Sequence, residues 1–64
     1  MTPIELMIVR LMADGFSSRE IAERTTLTKS MVDQYRVGML KKLNLKNSCH
    51  LIAYAYKNQI LTPK

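Results

Sequence analysis

Apolar side chains recur three and four positions apart in four blocks of this chain, and strict alternation is almost absent, so the pattern predicts helices and no sheet. Ile4, Ile8, Leu11 and Met12 mark the first helix, over about residues 3–13. Its start reads as a capping box, with Thr2 as cap, Pro3 at the first helical position where no N–H is needed, and Glu5 reaching back to the cap. Asp14-Gly15 ends it, since glycine suits the left-handed position that follows a helix. Ser17-Ser18-Arg19-Glu20 is a second capping box, and opens a short helix over about 18–25 that buries Ile21 and Ala22. Thr26-Leu27-Thr28 turns the chain. Thr28 caps a third helix, about 29–43, with Val32, Tyr35, Met39 and Leu43 on one face and Asn44 as its left-handed stop. Asn47 or Ser48 caps a fourth, about 48–58, whose core face is Leu51, Ile52 and Ala55. Asn58 ends that helix, and 59–64 reads as a short tail in which Thr62-Pro63 forbids further helix. The expected fold class is all-α, a four-helix bundle forming one domain over 1–64.

Charge changes this picture more than composition does. At 64 residues, 47% hydrophobic and 23% charged, the chain has ordinary globular make-up and room for one domain. Its net charge of +5 is large for that size and favours a polyanionic partner. The excess is one-sided. Residues 1–28 carry Arg10, Arg19 and Arg24 against Glu5, Asp14, Glu20 and Glu23, a net of −1. Residues 29–64 carry Lys29, Arg36, Lys41, Lys42, Lys46, Lys57 and Lys64 against Asp33 alone, a net of +6. One cysteine allows no internal disulfide, no run of eighteen apolar residues is long enough for a membrane span, and the N-terminus lacks a signal-peptide pattern. The expected location is cytoplasmic, with no membrane partner. Catalysis is not expected either. A single His50, a single Cys49 and no convergent carboxylate pair make no catalytic constellation, and neither metal-ligand spacing nor a phosphate-cradling glycine loop is present. No cofactor, metal or small-molecule ligand is therefore expected.

A basic third helix that follows the second after a turn of three or four residues has the layout of a helix-turn-helix, in which the second helix braces the third and the third enters a DNA major groove. The residues add to the layout. Thr2-Pro3-x-Glu5 followed by Val9-x-Leu11-Met12-Ala13-x-Gly15-x-Ser17-Ser18-Arg19-Glu20-Ile21-Ala22 closely resembles the opening of the LuxR/GerE/FixJ-type helix-turn-helix family. Leu27-Thr28, Val32, Met39, Lys42-Leu43-x-Leu45 and Leu51-Ile52-x-x-Ala55 continue the resemblance, which runs from residue 1 to about 61 without a gap. It implies a four-helix DNA-binding domain acting in transcription, usually as a dimer joined through the fourth helix. In that family the domain normally sits at the C-terminus of a larger regulator, behind a receiver or a small-molecule sensor. This chain resembles the rarer standalone members, unless it is an excised fragment.

The departures from the family pattern lie mostly on the third helix. Where the family usually reads Thr-Val-Lys-x-His, this chain has Met31-Val32-Asp33-Gln34-Tyr35. Asp33 repels phosphate but accepts a hydrogen bond from cytosine N4. Two readings stay open: a specificity residue favouring cytosine, or the mark of a surface that binds DNA poorly. Gln34 suits a bidentate contact with adenine, Val37 a thymine methyl, and Arg36 either guanine or a phosphate. These four are the base-reading candidates. Lys29, Lys41, Lys42 and Lys46 are phosphate candidates, as are Thr28 and Ser30 through hydroxyl and backbone N–H at a helix start; for a lysine the plain alternative is a solvated side chain. Gly38 within a helix costs about 1 kcal/mol relative to Ala, a cost that close approach of the backbone to a phosphate would justify. Tyr35 reads as a half-buried core residue. Cys49, Ala53 and Tyr56, with Tyr54 adjacent, are the candidate homodimer face on the fourth helix. Leu6 and Met7 are apolar where the family is usually polar, which makes them a candidate partner-protein surface on the first helix.

The expected function is sequence-specific binding of double-stranded DNA by a transcriptional regulator. The alternative is a protein-interaction module that binds another regulator and modulates it without reading DNA itself.

Overall fold

A computed structural model of the chain describes residues 2–61. Its elements are α1 (Pro3–Ala13), α2 (Ser18–Arg24), α3 (Lys29–Lys42) and α4 (Ser48–Lys57), and among the described residues no strand occurs. The architecture is all-α with four helices. The helices expected to reach residues 25, 43 and 58 each stop one residue sooner, because Thr25, Leu43 and Asn58 serve as their C-caps.

Each helix begins where a side chain satisfies an orphan backbone donor. Both capping boxes form. Thr2 Oγ1 accepts from the Glu5 N–H at 3.2 Å while Glu5 Oε1 accepts from the Thr2 N–H at 2.9 Å. Ser17 and Glu20 repeat the exchange at 3.3 and 3.0 Å. Thr28 caps α3 through the Met31 N–H at 3.1 Å, and Asn47, of the two candidates for α4, caps it through the His50 N–H at 3.0 Å. Three helices end alike. Gly15, Asn44 and Gln59 adopt φ of 96°, 56° and 59°, and the next N–H turns back to the third-last helical carbonyl: Phe16 to Leu11 at 3.1 Å, Leu45 to Leu40 at 2.8 Å, Ile60 to Ala55 at 2.8 Å.

The core joins Ile8, Val9 and Met12 of α1, Ile21 of α2, Val32 and Met39 of α3, Leu51 and Ala55 of α4, and Leu61. Two of these differ from the sequence expectation. Ile4, expected inside, is 40% exposed and Val9 takes its place at 0%. The first helix is apolar nearly all round, so periodicity alone does not fix which stripe turns inward. The segment read as a tail instead folds back: the left-handed turn at Gln59 returns Ile60 and Leu61 onto the core. Thr62-Pro63 lies outside the described residues. α1 packs on all three other helices, while α2 packs on α3 and α3 on α4. α3 is thus braced along its inner face, and its outer face is left for solvent.

Candidate nucleic-acid interface

Four residues, 25–28, separate α2 from α3, the connection a helix-turn-helix requires. Leu27 tucks half-buried against the core, and its N–H donates to Thr25 Oγ1 at 3.2 Å, which fixes the turn. α3 then runs fourteen residues with Val32 and Met39 buried beneath it. On its outer side an open, shallow groove is lined by Lys29, Ser30, Asp33, Gln34, Val37, Gly38 and Lys41. Gln34, Val37, Gly38 and Lys41 are exposed there, Val37 at 50%. Six of the residues expected to meet DNA on sequence grounds, Lys29, Ser30, Asp33, Gln34, Val37 and Lys41, therefore share one surface with Gly38.

The structure shows why an acid is tolerated in that surface. Lys29 Nζ donates to Asp33 Oδ2 at 2.8 Å, one helical turn apart. The hydrogen bond from Lys29, helped by the Ser18 hydroxyl, holds the Asp33 carboxyl below its ordinary value of 3.8, so it is ionised at neutral pH. Lys29 is consequently not a bare cation; its charge is already matched inside the helix.

Arg36 sits elsewhere. Its guanidinium donates to Ser18 Oγ and, at 2.7 Å, to Ser48 Oγ. The side chain is half-buried, and Ser18 is the one buried polar residue among those described, at 6% exposure. Arg36 thereby ties together the first residues of α2 and α4 across α3. Two charge-assisted hydrogen bonds hold it there, each worth more than a neutral one. It does not line the groove that holds the other three base-reading candidates. Local sequence pattern does not reveal this link, because its partners lie 18 and 12 positions away.

The phosphate candidates are spread around the groove. Thr28 Oγ1 is used as a cap acceptor, which leaves its O–H free to donate. Lys41 is on the groove wall. Lys42 lies around the helix in a crevice with Glu5 and Tyr54, and Lys46 is exposed in the loop between α3 and α4. Arg19 pairs with Glu23 at 3.7 Å, and the Arg24 guanidinium stacks 4.0 Å above the Phe16 ring. Tyr35 is half-buried against the core.

On α4, Cys49, Ala53 and Tyr56 are exposed at helical spacing, with Tyr56 at 41%. Tyr54 points away from that stripe, half-buried in the Glu5 crevice. On α1, Met7 is 39% exposed and Leu6 half-buried; both line a shallow depression with Pro3, Arg10, Leu11 and Asp14. No helix among the described residues is long and apolar enough to cross a membrane.

Comparison with known proteins agrees with the arrangement. The family described as bacterial regulatory proteins, luxR family, matches residues 1–55. The oxygen regulatory protein NreC of Staphylococcus carnosus is 37% identical over 57 residues, which cover 89% of this chain and 26% of that protein. The NreC proteins of Staphylococcus epidermidis and Staphylococcus aureus are each 35% identical over the same share. The chain thus spans about a quarter of the length of the curated relatives it matches. No solved structure matches it significantly.

Proposed function

The chain belongs to the luxR family of bacterial regulatory proteins, a DNA-binding helix-turn-helix family, and on that premise we propose that it regulates transcription by placing the outer face of α3 in a major groove of duplex DNA. The observation that carries the reading is the α3 groove. It is an accessible surface on a helix backed by α2 and the core, and it presents charged side chains at its ends, an amide at Gln34, a small apolar group at Val37 and a bare backbone at Gly38 within two turns. A B-DNA major groove is wide enough for one helix, and those side chains match the base edges it exposes. Lys41, Lys42 and Lys46, with the O–H of Thr28 and the Ser30 hydroxyl, supply phosphate contacts on either side.

In this reading two copies bind a site with two-fold symmetry, joined through the Cys49–Ala53–Tyr56 stripe of α4. A small residue flanked by an aromatic at helical spacing allows close helix approach. The working activity is binding, with no bond made or broken.

Gel-shift titration against random-sequence duplex tests the proposal. With about six phosphates contacted, log K falls against log salt with a slope near −5. Symmetric half-sites recovered by selection from a random pool would support the dimer, and Ala53→Arg should then weaken binding to paired half-sites while sparing a single one. A second reading is favoured by one observation, the exposure of Ile4 and Met7 on α1: a protein-interaction module that engages another regulator. Absence of any shift at low salt, together with a stable complex disrupted by Met7→Lys, would replace the first reading with the second.

A further inference from the structure

Lys29 and Asp33 stand one turn apart on the groove face of α3, bonded at 2.8 Å, with their side chains 63% and 42% exposed. They present a unit to anything entering that face: a donor-only cation touching an acceptor-only anion. The major-groove edge of a G·C pair has the opposite pattern. Guanine offers O6 and N7 as acceptors, and cytosine offers the N4 amine as donor. O6 and N4 are joined by one of the base pair's own hydrogen bonds, so they lie an ordinary N–H···O distance apart, about 2.9 Å. The ion pair therefore matches that edge in sign and in spacing.

We propose that Lys29 and Asp33 act together as the reader of a single G·C base pair, Lys29 Nζ donating to guanine O6 and N7 while Asp33 accepts from cytosine N4. This rests on the DNA-binding reading above and deepens it; it moves Lys29 from the phosphate contacts to the base contacts. An A·T pair offers a donor and an acceptor at the same spacing, adenine N6 and thymine O4. There, however, adenine N7 lies beside N6 and repels the carboxylate, and the thymine methyl crowds the ammonium. A phosphate is a worse partner still, because whatever it gains from Lys29 it loses to the adjacent Asp33. The Ser18 hydroxyl of α2 and the nearby Arg36 guanidinium both favour the ionised Asp33 carboxylate, the charge state the pair requires.

The experiment compares wild type, K29M and D33N on a duplex recovered by random-pool selection, with each base pair of the half-site replaced in turn, and measures affinity by fluorescence anisotropy over a range of salt. Both positions are open to solvent, and circular dichroism checks that the variants remain folded. Wild type should prefer G·C by about ten-fold at one position, and each variant should reduce that preference to about two-fold at the same position. D33N should also bind non-selected duplex more tightly and steepen the salt slope by about one for each bound copy, because a released Lys29 can then neutralise a phosphate. K29M should leave the slope unchanged. If K29M keeps the G·C preference and makes the slope shallower by about one for each bound copy, Lys29 is a phosphate clamp and the proposal is overturned. It is equally overturned if D33N keeps the preference. Failure of wild type to bind any duplex at low salt removes the DNA reading itself, whereas binding with an untouched preference removes only the composite reader.

Discussion

Gly38→Ala separates the folding role of α3 from its binding role, because the two should respond with opposite sign. Glycine in a helix interior costs about 1 kcal/mol relative to alanine. A Cβ built at position 38 meets nothing within 4 Å, so no clash offsets the gain in the free protein. For a domain of this size a gain of about 1 kcal/mol corresponds to a rise in Tm of roughly 4–8 °C. The same methyl projects into the groove lined by Gln34, Val37 and Lys41, where the DNA reading brings the duplex against the backbone. Holding the helix away by one methyl removes a base contact such as that of Gln34, a loss of roughly ten-fold in affinity. Thermal unfolding without DNA and anisotropy titration on a selected duplex give the two numbers. A lower Tm would refute the account of the helix environment, and an unchanged affinity would refute close approach at Gly38.

Three further outcomes are expected. Arg36→Ala should destabilise the fold by about 2 kcal/mol in urea denaturation, since it removes two charge-assisted hydrogen bonds and strips the buried Ser18 hydroxyl of its guanidinium partner; Arg36→Lys, which cannot fork to both serines, should lose about half of that. Gln59→Gly should raise stability by about 1 kcal/mol in the same assay, because φ at 59 lies in the left-handed region that penalises a Cβ. Acid should weaken the fold: the backbone hydrogen bonds from Thr2 and Ser17 hold Glu5 and Glu20 below their ordinary value of 4.5, so their contribution is intact above that pH and lost as pH falls through the depressed folded values. The urea midpoint should therefore drop below about pH 4.5, and the profile should be flatter in a Glu5→Gln/Glu20→Gln variant, which keeps an acceptor and cannot titrate.

What was legible in the sequence is what is local. Both capping boxes, the Thr28 cap and the left-handed stops at Gly15 and Asn44 act over three to five residues, and the structure shows them at those positions. Gln59 makes the same turn without a glycine or asparagine at its own position to announce it, so the sequence suggests a tail where Leu61 in fact returns to the core. The inner stripe of α1 is ambiguous in the sequence because Leu6, Met7, Ile8 and Val9 are all apolar, and only packing against the other three helices selects among them. At the candidate site, the groove-lining residues follow from helical spacing alone. The Lys29–Asp33 pair places opposite charges four apart on a helix, yet the sequence pattern assigns Lys29 to phosphate and Asp33 to a base separately, and the structure joins them. The role of Arg36 was not, because it depends on serines from two other helices converging on one guanidinium.

The reading of function stands or falls on whether the α3 groove is the surface that meets DNA. Titration of the ¹⁵N-labelled chain with duplex, followed by amide chemical shifts, tests it most directly. The largest changes should fall on Lys29, Ser30, Asp33, Gln34, Val37, Gly38 and Lys41, with Ile4 and Met7 of α1 unmoved. Changes confined to α1 and α4, with the α3 groove silent, would contradict it.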